Sequence, residues 1–100
     1  MNRFRLRGDT TEFPAYAHGA GRDGHNYPVV DRATLAAVIA RRNVLDNGHI
    51  SDITFHGGAG ATVREYHWDD DGRALDATHT VNPHGSGFYL LDMGLPLVEA

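Results

Sequence analysis

The chain has one hundred residues, a formal charge of −4 and a pI near 5.9. That suits one domain over 1–100 and argues against the basic field that non-specific nucleic-acid binding needs. It contains no cysteine, which removes disulfides, thiolate zinc sites and cysteine nucleophiles together. No secretory h-region follows the basic start, and no apolar run approaches the ~20 residues of a membrane span. The compartment expected from these features is the cytoplasm, with no membrane contact.

Alanine supplies 12 of the 41 apolar residues, so Leu, Ile, Val and Phe make up only 22 of 100. This is a thin core, and a homo-oligomer, most simply a homodimer, would supplement it. All nine basic residues are arginine; with abundant Ala, Gly and Asp, this bias points to the GC-rich genome of a bacterium or its phage.

Residues 3–7, Arg-Phe-Arg-Leu-Arg, alternate strictly. They predict an edge strand with Phe4 and Leu6 inward and Arg3, Arg5 and Arg7 outward. A basic strip for an acidic partner is the sharper reading of the same arginines. Residues 8–28 show no sustained period and read as a long irregular loop, with a short extended piece at 13–17.

A helix is predicted over 32–46. Asp31 is a suitable N-cap, and Val30 and Leu35 have the spacing of a hydrophobic staple. Leu35, Val38, Ile39 and Leu45 form an apolar stripe interrupted by Arg42. Asn47-Gly48 supplies a left-handed stop.

Strand patterns follow at 50–56, 61–68, 74–81 and 86–92, broken by Gly57-Gly58-Ala59-Gly60, Asp70-Asp71-Gly72 and Asn82-Pro83-His84-Gly85. Residues 94–100 read as a short tail. The expected fold is α+β, one α-helix packed on a four- to five-stranded, mainly antiparallel sheet in the order β-α-β-β-β-β. Two registers fit the central hairpin. A three-residue loop pairs Asp69 with Arg73, His67 with Leu75, Glu65 with Ala77 and Val63 with His79. A two-residue Asp71-Gly72 turn pairs Trp68 with Leu75 and Tyr66 with Ala77. Residues 66–75, Tyr-His-Trp-Asp-Asp-Asp-Gly-Arg-Ala-Leu, resemble one copy of the tyrosine/aspartate repeat of Rhs-type shell proteins. No second copy occurs, so the resemblance implies a hairpin and not membership.

Gly19-Ala20-Gly21-Arg22-Asp23-Gly24 matches G-x-G-x-x-G, but His25-Asn26-Tyr27-Pro28 leaves no room for the helix that a dinucleotide site requires, and no cofactor is expected. The seven histidines are His18, His25, His49, His56, His67, His79 and His84. None has H-E-x-x-H spacing, yet folding could gather some of them; His49, His67, His79 and His84 are the metal-ligand candidates. Asp69, Asp70 and Asp71 lack the ligand pattern of a calcium loop. Asp52, Glu65 or Asp76 could serve acid–base chemistry beside a histidine. Ser51 and Ser86 sit in no nucleophile elbow.

Tyr66 and Trp68 share one face of their strand with Arg64, the composition of a protein-binding hot spot. The alternative is that the N-terminal loop or the C-terminal tail folds over them as a second core. The sequence favours a small non-catalytic interaction factor (an adaptor, inhibitor or phage accessory protein) that binds a protein through Arg64, Tyr66 and Trp68. A small histidine-rich metal-binding domain or metal-dependent enzyme is the alternative. A nucleic-acid accessory using Arg3, Arg5 and Arg7 comes third.

Overall fold

A computed structural model describes residues 3–15, 17–20, 26–46 and 49–100. Among these described residues it is an α+β fold with one α-helix and ten strands in three antiparallel sheets. The strands are β1 (Arg3–Leu6), β2 (Glu12–Pro14), β3 (Ala17–Ala20), β4 (Asn26–Val30), β5 (His49–Phe55), β6 (Ala61–Asp69), β7 (Gly72–Val81), β8 (Pro83–His84), β9 (Gly87–Tyr89) and β10 (Leu97–Glu99), with helix α1 over Arg32–Leu45. The sheets are ordered β10-β1-β2, β3-β4-β9-β8 and β5-β6-β7.

Three expectations are corrected by this arrangement. Residues 8–28 are not one irregular loop: they contain β2, β3 and the start of β4. The C-terminal residues are likewise not a free tail, because β10 pairs with β1, Phe4 opposite Glu99 and Leu6 opposite Leu97. With β2 on its other side, β1 is a central strand and not an edge. Its alternation is as expected, since Phe4 and Leu6 are buried. The Arg strip is partly tied down: Arg3 Nε meets Glu12 Oε1 at 3.0 Å and Arg5 Nη1 donates to the Asp9 carbonyl at 3.2 Å.

Helix α1 starts where its cap chemistry says it should. Asp31 is extended, and its Oδ1 accepts from the Thr34 amide at 2.7 Å. That bond holds the Asp31 carboxyl below the usual carboxylate range. Val30 and Leu35 are fully buried in the core cluster with Val38 and Ile39. The stripe ends early, however, because Leu45 and its neighbour Val44 are exposed. The Asn47-Gly48 stop lies outside the described residues.

The helix packs on β5, and the inward residues of β5, β6 and β7 (Ile53, Phe55, Ala61, Val63 and Val81) join one cluster with Phe4, Leu6, Phe13, Phe88, Leu90 and Met93. The fourth strand ends sooner than expected, with β9 stopping at Tyr89 and residues 90–93 forming a 3-10 turn that carries buried Leu90 and Met93.

Two local features tie these layers together. Asp9, buried after β1, takes a bidentate grip from Arg41 on α1, with Nε–Oδ2 and Nη2–Oδ1 both 2.8 Å. These hydrogen bonds lower the Asp9 carboxyl to about 2. Gly60, between the 3-10 turn at Gly57–Ala59 and β6, has φ +94°, and a Cβ there would lie 2.2 Å from the Val81 carbonyl oxygen.

Gly60→Ala is therefore expected to destabilise strongly, through both left-handed strain and a clash with backbone that cannot swing away. A urea denaturation midpoint well below wild type checks it. Asp9 has a depressed folded-state pKa, so its contribution is present above the ordinary value of 3.8 and is lost as pH falls towards about 2. Between about pH 4 and pH 2, Asp9→Asn should show a shallower loss of stability than wild type in acid-dependent melting.

Candidate functional site

Strand β6 runs through the middle of the β5-β6-β7 sheet and sends alternate side chains to its two faces. Ala61, Val63 and Glu65 are buried towards α1, and Arg64, Tyr66 and Trp68 stand on the opposite face. Neither expected hairpin register holds along the whole hairpin. From Ala61 to Glu65 the pairs are those of the three-residue-loop register, including Val63 with His79 and Glu65 with Ala77. Beyond Glu65 the register shifts by one, so Tyr66 faces Leu75, His67 faces Ala74, Trp68 faces Arg73, and Asp69 faces Gly72 across a two-residue Asp70-Asp71 turn. The extra residue in β7 is Asp76, a β-bulge.

The bulge shapes the outer face. It places Leu75 and Arg73 beside Tyr66 and Trp68. The Arg73 guanidinium lies 3.9 Å from the centre of the Tyr66 ring and bonds Asp52 at 3.0 Å. Trp68 is 60% exposed and Leu75 58%, so neither the N-terminal strands nor β10 covers them as a second core. Arg64 is exposed and makes no ion pair among the described residues. A groove of about 340 Å³ runs beside it, lined by Asp52, Thr54, His56, Thr62, Arg64 and Tyr66. Its floor includes the cross-strand pair Thr54–Thr62.

The inner face changes character where the apolar cluster stops. Glu65 is only 4% exposed, and its Oε1 meets Arg42 Nη2 from α1. Its Oε2 lies 2.7 Å from His79 Nε2. Burial pushes the Arg42 guanidinium down from its ordinary pKa, while Asp46 and Asp76 favour its charge. The residue that interrupted the helical stripe is thus the helix's charged contact with the sheet. Its position among apolar neighbours was the available signal, but nothing local indicated Glu65, 23 residues later.

Beyond Glu65 lies a string of histidines and aspartates. His49 and His67 are cross-strand partners. His49 Nδ1 is 3.1 Å from Asp46 Oδ2, His49 Nε2 is 3.4 Å from Asp76 Oδ2, and His67 Nδ1 is 3.6 Å from Asp76 Oδ1. Of the four metal-ligand candidates, His49 and His67 therefore come together, His79 is taken by Glu65, and His84 packs on Tyr89 with ring centres 5.6 Å apart. His25 lies outside the described residues. Among the acid–base candidates, Glu65 and Asp76 each have histidine neighbours and Asp52 has Arg73. Ser51 bonds Asn43 at 3.2 Å. Gly21–Gly24 of the glycine motif lie outside the described residues, and the segment after them is a strand, β4, and not a helix.

Comparison with protein families, curated proteins and solved structures finds no match for this chain. The candidate site therefore rests on its own geometry. Among the described residues, no helix is long and apolar enough to cross a membrane, and no group of three or more His, Asp or Glu side chains is placed to hold a metal ion.

Removing one member of the buried pair strands the other's charge, which typically costs about 3–5 kcal/mol. Glu65→Ala should lower the free energy of unfolding by about that much, and Arg42→Met combined with Glu65→Leu should recover most of it. Chemical denaturation of the three variants makes the comparison.

Proposed function

We propose that this chain is a small, cytoplasmic, non-catalytic interaction factor. It binds a protein partner through the outer face of the β5-β6-β7 sheet. Arg64, Tyr66 and Trp68 form the centre of that surface, and Arg73 and Leu75 extend it. The observation that carries the reading is the exposure of Trp68 and Leu75 side by side on a face that no other part of the described chain covers. Large exposed aromatics flanked by arginine are the groups that dominate binding energy at protein interfaces, because they bury much area at little conformational cost.

The charges suggest the partner's chemistry. Asp52 is already neutralised by Arg73, whereas Arg64 has no counter-ion among the described residues. A partner surface with an apolar patch beside a carboxylate would complement this face. Arg73, stacked on Tyr66, holds that ring in place before any partner arrives, which lowers the ordering cost of binding.

The test is native mass spectrometry of the untagged chain isolated from its source, with Trp68→Ala, Arg64→Glu and Val44→Ser as variants. A bound polypeptide kept by wild type and Val44→Ser, and weakened by about 30-fold or more in Trp68→Ala, is the expected result. Arg64→Glu should weaken it as well, with a reduced salt dependence. A partner retained equally by Trp68→Ala, or a Trp68→Ala chain that unfolds, overturns the reading. A doubled mass that Trp68→Ala abolishes would identify the partner as a second copy of the chain.

A further inference from the structure

The last turn of α1, the end of β1 and the segment 94–96 border a cleft of about 330 Å³. The Arg7 amide donates to the Pro96 carbonyl at 2.8 Å, which ties that segment to the end of β1. Buried Leu6 lines the cleft together with Leu45, Leu95 and Pro96, so much of its wall is apolar. Leu45 is 46% exposed, an apolar surface that the described chain leaves to solvent.

The same cleft carries two guanidinium groups and one carboxylate. Arg42, whose side chain is 15% exposed, commits Nη2 to Glu65 and donates from Nε to Asn43 Oδ1 at 3.2 Å. Its Nη1 has no hydrogen-bond partner among the described residues. Arg7 makes no ion pair or side-chain hydrogen bond among the described residues. Asp46 lies 3.1 Å from His49 Nδ1 and pairs with neither arginine. With Arg42 answered by Glu65, the lining keeps one uncompensated positive charge, that of Arg7.

We propose that this cleft binds a small organic monocarboxylate, an acid with a short aliphatic or aromatic body. Arg7 and the spare Nη1 of Arg42 hold the carboxylate, and the body lies against Leu45, Leu95 and Pro96. Apolar walls with a few placed polar groups are the ordinary build of a small-molecule site, and this cleft is at the lower end of the size range. Guanidinium donors match carboxylate oxygens in charge and geometry. One unanswered charge favours a monoanion over a phosphate, whose second charge would stay uncompensated. Contact with Leu45 removes apolar surface of both ligand and protein from water. The cleft shares no residue with the partner-binding face, so either proposal can fail without the other.

The experiment is an amide NMR titration of the isotope-labelled full-length chain. The probes are butanoate, hexanoate and benzoate, with hexanol as a neutral analogue and phenyl phosphate as a dianion. The expected result is saturable one-site shifts at the residues lining the cleft. Affinity should rise about fourfold per added CH₂ from butanoate to hexanoate. Hexanol should bind about tenfold or more weaker than hexanoate, and Arg7→Gln should lose a similar factor for hexanoate. His84→Ala should bind as wild type does. Thermal melting reports the folding of each variant, and the hexanoate–hexanol comparison on wild type stands even if Arg7→Gln does not fold. Equal affinity for hexanoate and hexanol overturns the proposal, as does a folded Arg7→Gln chain that binds hexanoate unchanged. Absence of saturable shifts at the cleft, or phenyl phosphate binding more tightly than benzoate, overturns it as well.

Discussion

Arg42 and Glu65 meet between the helix and the central strand of the β5-β6-β7 sheet, both largely withdrawn from water. A charge in that position is tolerated only opposite its partner. The pair therefore acts with the buried Ala61 and Val63 in setting which side of β6 faces α1. Side chains alternate along a strand, so this one choice orients every other residue of β6. With Glu65 inward, Val63 enters the core and Arg64, Tyr66 and Trp68 are turned to solvent. A slip by one residue would strand Arg42 and drive Arg64 against the helix.

The bulge at Asp76 is the second constraint, and it acts on both faces. Below it, Val81, His79 and Ala77 follow the inward parity set by Val63 and Glu65. Above it, one added residue brings Leu75 and Arg73 to the outer face beside Tyr66 and Trp68, while Asp76 itself is directed to His49 and His67. Bulges near the end of a hairpin commonly re-aim side chains in this way. Here a single irregularity enlarges the aromatic patch on one side and completes a histidine–carboxylate group on the other.

The elements most legible in the sequence are those whose reasons lie within a few residues. Asp31 caps the Thr34 amide three residues on, and Val30 and Leu35 are five apart, so the start of α1 follows from local chemistry alone. The alternation of β1 and of β5 to β7 is equally local. Of strands β2, β3 and β4 the sequence shows only the extended piece at 13–17, which overlaps β2 and the first residue of β3, because three to five residues of mixed polarity carry too short a period to detect and take their partners from elsewhere. Strand β4 pairs with β9, nearly sixty residues away, and β10 returns to β1 across the whole chain. The outward position of Arg64, Tyr66 and Trp68 follows from parity. The contributions of Arg73 and Leu75 depend on the bulge.

By itself, then, the sequence determined the helix and its cap, the hairpin-forming strands, the α+β class and the shared face of Arg64, Tyr66 and Trp68. Each of these rests on contacts or periodicities spanning a few residues. Only the tertiary structure decided that Arg42 answers Glu65, that Arg41 grips Asp9, that His49 and His67 converge on Asp76, and that the termini pair side by side. Those outcomes join residues far apart in the chain, and register and packing bring them together where no local preference could.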